Sequence, residues 1–363
     1  MLSHDAFELD YKPMLPAKHD YGIASVGCGG ISTACHLPIY RRHGLNVVGC
    51  FDASPEAREK FARAFSIPTV YSSLDELLAD EKVQIVDIAV PATEQRRIVE
   101  KVASAGKHML CQKPLAESFD DAKACVAAAK KHKVTLAVNQ QLRWSPAIAA
   151  TKDLLHRGLL GEPTLGTIQV NACTPWHKWE WIRVKKTIDV LYTSIHFLDS
   201  MRHLFGDPER IYVSGTPPPD GSCVGETRTI QVLEYKGSLR GLVHDEHHNI
   251  ANADDWYGLY RVEGTEGIAK GRLGSLFGFL TGVPDSISFM SRKLRTGWWV
   301  TPTLEGGWFP DAFIGPMASL MESLQTGKPP LTSGEDHLRT LQLVFAAYKS
   351  MEEKRAVRPS EIQ

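Results

Sequence analysis

From Tyr21 onward, short apolar runs alternate with amphipathic stretches. The runs are Ile23-Ala24-Ser25-Val26, Val47-Val48-Gly49-Cys50-Phe51, Ile85-Val86-Asp87-Ile88-Ala89-Val90, Met109-Leu110-Cys111 and Val134-Thr135-Leu136-Ala137-Val138. Near-continuous apolar runs of this length predict strands buried on both faces. The segments between them carry helix signals. Ser54-Pro55 supplies a cap followed by proline at the first helical position. Ser73-Leu74-Asp75-Glu76 and Ser118-Phe119-Asp120-Asp121 have capping-box spacing. Gly106 stands where a helix would end before Met109. Strand and helix in alternation predict a doubly wound parallel sheet of Rossmann type over residues 21–145.

After about residue 150 the rhythm changes. A helix carrying Asp189, Tyr192 and His196 is followed by extended segments at 210–215, 228–235, 239–247 and 258–263. Strand now follows strand, so residues 146–363 are expected to form an α+β domain with a large open, mostly antiparallel sheet. A closing helix is predicted over 335–354 and is expected to pack back on the first domain. Residues 1–20, with two prolines and mixed polarity, read as a leader arm.

The chain has 363 residues, enough for two domains at about 100–200 residues each. Its formal net charge is −1, which gives no electrostatic reason to expect nucleic acid or an anionic membrane as partner. No window approaches the roughly 18 uninterrupted apolar residues of a membrane span. No apolar core of signal-peptide type opens the chain, so a cytoplasmic location is expected. Cys28, Cys35, Cys50, Cys111, Cys125, Cys173 and Cys223 are odd in number and show no C-x-x-C pairing. They read as reduced thiols, not as a disulfide framework or zinc site.

Gly27-Cys28-Gly29-Gly30-Ile31-Ser32 directly follows the first run and opens a helix. Gly27 permits the tight turn, and Gly29 lets the backbone approach a pyrophosphate met by the helix N-terminus. The third fingerprint position is Ser32, still small. At the end of the next run stands Asp52, placed to accept hydrogen bonds from the adenosine ribose hydroxyls. A carboxylate there repels a 2′-phosphate, and Ala53 and Ser54 bring no neighbouring cation, so NAD is expected over NADP.

Further marks follow in order: His36-Leu37-Pro38, Ala105-Gly106-Lys107-His108, Lys113-Pro114, Arg143-Trp144-Ser145-Pro146, Ser194-Ile195-His196, Val262-Glu263-Gly264-Thr265-Glu266-Gly267 and Ser333-Gly334-Glu335-Asp336. With the glycine turn, they make the chain resemble the glucose–fructose oxidoreductase/inositol dehydrogenase (Gfo/Idh/MocA) family from about residue 21 to the C-terminus. The resemblance implies a Rossmann domain followed by an α/β domain with a large open sheet, and substrate bound beside the nicotinamide. It maps the family's Glu-Lys-Pro lysine onto Lys113, a substrate-contacting residue that helps move the hydroxyl proton. The family's helical Asp-x-x-x-His falls on Tyr192 and His196, with tyrosine in the aspartate position. Gln112 stands for the usual glutamate, and Val90-Pro91 for the usual Thr-Pro near the nicotinamide.

Oxidising a secondary alcohol requires a hydride acceptor and a base for the hydroxyl proton. His196 can take a proton near neutral pH. Lys113 can do so if burial and a nearby positive charge lower its pKa. Tyr192 and Asp189 are expected on the substrate side of the same helix, and Arg143 and Trp144 are further substrate candidates. Trp176-His177-Lys178-Trp179-Glu180-Trp181 interleaves indoles with polar groups, as a sugar-stacking wall would. His244-Asp245-Glu246-His247-His248-Asn249 has metal-ligand residue types, but no metal is expected. The leading function is an NAD-dependent dehydrogenase of a sugar, polyol or sugar acid. The alternatives are a lyase or glycosidase using transient oxidation, and a non-catalytic dinucleotide sensor. A homodimer or homotetramer is expected, with strands after residue 210 at the interface.

Overall fold

A computed structural model describes residues 8–174, 176, 179–249, 255–278, 282–294 and 297–363. The chain divides into two compact units.

The first unit comprises residues 13–141 and 313–338. Its sheet has six strands: β1 Ile23–Val26, β2 Val47–Phe51, β3 Thr69–Val70, β4 Ile85–Ile88, β5 His108–Gln112 and β6 Leu136–Asn139. All neighbours pair in parallel, in the order β3-β2-β1-β4-β5-β6. Every residue of β1, β4 and β6 is buried, which is why these strands read as unbroken apolar runs. The strand order reverses between β1 and β4, and ligands of doubly wound sheets collect at the carboxyl ends beside that reversal. The predicted caps are made: Ser54, Ser73 and Ser118 accept from the backbone N–H of Ala57, Glu76 and Asp121 at 3.1–3.2 Å.

The second unit comprises the described residues of 142–312 and 339–363 together with residues 8–12. Its sheet holds β7 Pro163–Asn171, β8 Arg210–Thr216, β9 Arg228–Glu234, β10 Arg240–Glu246, β11 Tyr257–Gly264, β12 Gly267–Arg272 and β13 Ser286–Ser291. The order is β13-β12-β11-β7-β10-β9-β8, and only β7 against β10 runs parallel. One face is covered by the helices Pro146–His156 and Ile195–Phe205. Glycine allows the closest approach at Gly166, where a Cβ would lie 2.4 Å from the Phe205 ring.

The chain passes from the first unit to the second at 141/142, and a later segment rejoins the first. Residues 313–338 return to the Rossmann unit, where the helix Ile314–Thr326 packs against β5 and β6. The expected leader arm is split, with Pro13–Asp20 in that same unit. The closing helix Gly334–Glu353 starts in the Rossmann unit and from Arg339 belongs to the second. All seven cysteines are free thiols. Among the described residues no helix is long and apolar enough to cross a membrane.

Candidate functional site

The glycine turn is built mainly from backbone. Gly27 adopts φ +97°, and a Cβ there would sit 2.3 Å from the Ala89 carbonyl oxygen. Only glycine fits a position so conformed and so close to the β4 chain. Gly29 and Gly30 are exposed, and a Cβ on either would meet open space, which leaves an uncovered cradle at the helix start. The helix opens through Gly30 and Ile31 into a π turn, Ser32–His36. Ser32 takes the third fingerprint position because its side chain is small and useful: its Oγ donates 2.8 Å to the Gly27 carbonyl.

Asp52, just past β2, clasps this turn from the side. Its Oδ2 accepts from the Cys28 N–H at 2.8 Å and its Oδ1 from the Ser54 N–H at 2.8 Å. A half-buried carboxylate fixed beside an open glycine cradle fits the ribose of a dinucleotide. Arg58, which sequence reasoning passed over, donates to the backbone carbonyls of Asp52 and Ser72. A cation therefore does stand near Asp52, one turn into the helix that Ser54 caps. Below the switch point His36 is buried, 2.8 Å from Asp87 Oδ2 and 3.1 Å from the Asn139 side-chain nitrogen.

Val90 and Pro91 follow β4 and lead into the helix Ala92–Ser104. Gln112 ends β5, and its Oε1 accepts from the Lys113 N–H at 3.1 Å. Lys113 is half-buried, and desolvation pulls its ammonium from the ordinary lysine range down to about 7. A lysine so placed exchanges its proton at neutral pH. Pro114, next in chain, is anchored through its carbonyl, which accepts from buried Gln95 at 2.7 Å.

In the second unit, a π turn, Val190–Ser194, precedes the helix Ile195–Phe205. The start of the turn is pinned by buried Glu226, whose carboxylate accepts from the Val190 N–H at 3.0 Å and from the Tyr348 hydroxyl at 2.7 Å. His196 is buried edge-on against the Trp308 indole, with centroids 5.0 Å apart. Trp308 was not anticipated; the glycine pair and aromatic pair of Gly306-Gly307-Trp308-Phe309 were the available signal. Tyr192 is partly buried, its ring 5.5 Å from that of Trp181 and packed on a cluster formed by Trp176, Ile182, Ile188 and Cys223.

Burial sets apart three further expected substrate contacts. Trp176 is 3% exposed and belongs to that apolar cluster, whereas Trp179 and Trp181 are 41% and 48% exposed. Any stacking surface in this segment therefore belongs to the latter two. Arg143 is buried and bidentate with Asp199, at 2.7 Å through each of Nε and Nη2. Burial alone would raise the Asp199 carboxyl, but the Arg143 guanidinium outweighs it and holds the group below the usual range. Thr340 donates to the same carboxylate at 2.7 Å, so Arg143 serves the fold. Asp189 is fully buried among hydroxyls and a second carboxylate, Asp245. Trp144 is half-buried, and His177 lies outside the described residues.

Residues 21–140 match the model of an oxidoreductase family with an NAD-binding Rossmann fold, and residues 152–358 match that family's C-terminal alpha/beta domain. A D-apiose dehydrogenase of Paraburkholderia graminis is 31% identical over 92% of this chain and 88% of its own length. A myo-inositol 2-dehydrogenase of Thermotoga maritima is 25% identical over 94% of this chain and 99% of its own. The solved structure of an oxidoreductase from Agrobacterium radiobacter in complex with NAD+, L-tartaric acid and magnesium superposes with a TM-score of 0.80 at 23% identity, covering 95% of this chain and all of that one. That last likeness bears on the fold alone. The chain belongs to the Gfo/Idh/MocA family and is an NAD-dependent oxidoreductase.

Proposed function

We propose that the protein oxidises a hydroxyl of a sugar, polyol or sugar acid by hydride transfer to NAD. The observation that carries this reading is Lys113, whose ammonium is tuned by burial to titrate near neutrality at the end of a Rossmann strand. Bound NAD supplies the hydride acceptor. Gly27, Cys28, Gly29, Gly30, Ile31 and Asp52 hold the dinucleotide, and Val90, Pro91, Gln112 and Lys113 flank its reactive end. As the carbinol C–H leaves as hydride, the O–H bond must release a proton to the protein. Lys113 and His196 are the two side chains whose chemistry suits that proton. Trp181, Trp179 and Tyr192 supply aromatic surface suited to the apolar face of a sugar ring. Relatives named for apiose and inositol agree with a polyhydroxylated substrate.

The test is a panel of sugars, inositols and sugar acids incubated with NAD and read as NADH absorbance. Turnover with at least one member is expected. Consumption of substrate without net NADH would replace this reading with transient oxidation in a lyase or glycosidase. Dinucleotide binding with no consumption at all would replace it with a sensor.

The outward face of the second sheet supports a homodimer or homotetramer. On it, Tyr212 stands opposite Val232 and Val232 opposite Leu242 in register, with Ile230 exposed beside them. An alternating strand normally turns polar residues outward, and a contiguous apolar outer face marks an interface. Ile230→Lys is expected to convert the assembly to monomers by light scattering. A wild type that is monomeric at micromolar concentration would overturn this.

A further inference from the structure

The stretch His244–Asn249 drew notice in the sequence for its residue types and was set aside as a metal site. The structure brings two of its members to a residue from elsewhere. Asp245 lies on the helix-facing side of β10, His247 just beyond its end, and Asp189 immediately before the π turn. All three are buried, with Asp189 and Asp245 fully so. One ligand atom from each lies within 4.8 Å of the other two.

Two carboxylates this close in a dry site need a shared proton or a cation between them, and burial together with the Asp245 charge raises the Asp189 carboxyl well above its usual range. Their hydrogen bonds come from hydroxyls. Ser194 donates to Asp245 Oδ2 at 2.5 Å and to Asp189 Oδ2 at 3.3 Å; Thr229 donates to Asp189 Oδ2 at 3.2 Å, and Thr193 to Asp189 Oδ1. These orient the carboxylates without neutralising them. His247 is the basic group that reaches both. Its Nε2 lies 2.8 Å from Asp245 Oδ1 and 3.6 Å from Asp189 Oδ1.

The 2.8 Å contact is short, yet its geometry is not that of a hydrogen bond. His247 Nε2 and Asp245 Oδ1 both lack a hydrogen-bond partner among the described residues, although both atoms are buried. The other ring nitrogen, Nδ1, is 2.6 Å from the Thr174 hydroxyl. If Nδ1 donates there, Nε2 presents a lone pair to two carboxylate oxygens. Three electron-rich atoms then converge on one point. Donor atoms bound at about 2.1 Å to a single ion stand roughly 3–3.5 Å apart, and the two imidazole-to-carboxylate separations here, 2.8 and 3.6 Å, bracket that range. A hydroxyl on the far imidazole nitrogen and hydroxyls on both carboxylates are the outer partners that hold metal ligands in place.

We propose that Asp189, Asp245 and His247 bind one divalent cation of the zinc or manganese class. One imidazole and two carboxylates form a nitrogen–oxygen ligand set suited to such ions and poorly suited to soft thiophilic ones. The ligands come from two separate stretches of the second unit. A cation there staples the end of β10 to the start of the π turn that carries Tyr192, a structural role fitting its burial.

The test is elemental analysis of the purified full-length protein, followed by calorimetric titration of chelator-dialysed protein with Zn²⁺ and with Mn²⁺. One equivalent per chain is expected, with a midpoint of unfolding that rises on refilling. Asp245→Asn and His247→Gln should each weaken binding at least 100-fold. His248→Gln, whose imidazole instead faces Asp220 at 3.4 Å, should leave the equivalent in place. If Asp245→Asn or His247→Gln fails to fold, the wild-type titration alone decides. Wild type that takes up neither ion at millimolar concentration would overturn the proposal. An equivalent retained in both variants would overturn it equally. These readouts do not pass through enzymatic activity, so they stand apart from the assignment of substrate.

Discussion

The glycine turn of the first unit and the π turn of the second both position the chemistry, but they are made of different material. The first is mainly backbone: a positive-φ glycine against a neighbouring strand, two bare glycines at a helix start, and one carboxylate bonded to main-chain N–H groups. The second is side chain: buried Glu226 pinning its start, His196 against Trp308, Tyr192 against Trp181. A backbone site depends on a few residues close in sequence. A side-chain site depends on packing partners, such as Trp308 for His196, that can lie a hundred residues away. Variants of the two should therefore fail in different ways.

The largest effect is expected where the proton moves. Lys113→Ala and His196→Ala should each lower turnover by about 10²–10⁴-fold while NAD still binds. The double variant should lose less than the product of the two, because groups acting on one step are not additive. The pH profile separates the two residues. Burial disfavours the charged ammonium, so Lys113 is protonated below about pH 7 and neutral above it. Activity that needs the neutral amine rises with pH through about 7. Lys113→Arg, which keeps the cation at all relevant pH, should be slow and should lack that limb. Near-normal turnover in Lys113→Ala would remove the main support for this assignment.

Next come two expected substrate residues that are packed into buried contacts, Arg143 and Trp176. Arg143→Ala strands the buried Asp199 carboxylate and should cost about 3–5 kcal/mol of stability. The sign with pH follows. The folded Asp199 has a depressed pKa, so its contribution is present above the unfolded carboxyl range and is lost as pH falls through the folded value. Trp176→Ala should likewise cost about 3–5 kcal/mol by opening a cavity. Trp181→Ala should leave the melting temperature nearly unchanged and raise KM. A Trp176→Ala protein that is stable but binds substrate poorly would return that indole to the site.

These assignments show what the sequence could and could not disclose. The Rossmann strands were legible because burial on both faces leaves uninterrupted apolar runs, and β8 to β11 because one buried face leaves strict alternation. β3 has only two residues, and β12 turns Ala269 inward between Gly267 and Gly271, so neither leaves a pattern. The Arg143–Asp199 pair spans 56 residues and has no local signature. A π turn has none either: Val190-Leu191-Tyr192-Thr193-Ser194 reads as ordinary helix. The return of the Ile314–Thr326 helix to the first unit has no local mark, because the helix is apolar in the ordinary way and nothing shows which sheet it joins.

A smaller effect tests the backbone site. Asp52→Ala should narrow the preference for NAD over NADP by removing the charge that repels a 2′-phosphate. Arg58, already close by, then becomes the cation such a phosphate would meet. Wild type that binds NADP as tightly as NAD would mean that Arg58, not Asp52, sets the choice.

The smallest effect expected is that of Tyr192→Phe, and it bears most directly on the side-chain site. The family pattern places a carboxylate here, and this chain has a phenol. Its ring packs on Trp181 and on the Trp176 cluster, contacts that phenylalanine reproduces. The substitution therefore deletes one hydroxyl and little else. A single hydrogen bond is worth about 0.5–1.5 kcal/mol net, so kcat/KM should fall by no more than about tenfold. Tyr192→Ala, which also releases the Trp181 ring, should raise KM further. If Tyr192→Phe instead loses as much turnover as His196→Ala, the hydroxyl itself handles the proton. The tyrosine would then be a chemical replacement for the family's carboxylate, and His196 the residue that orients it.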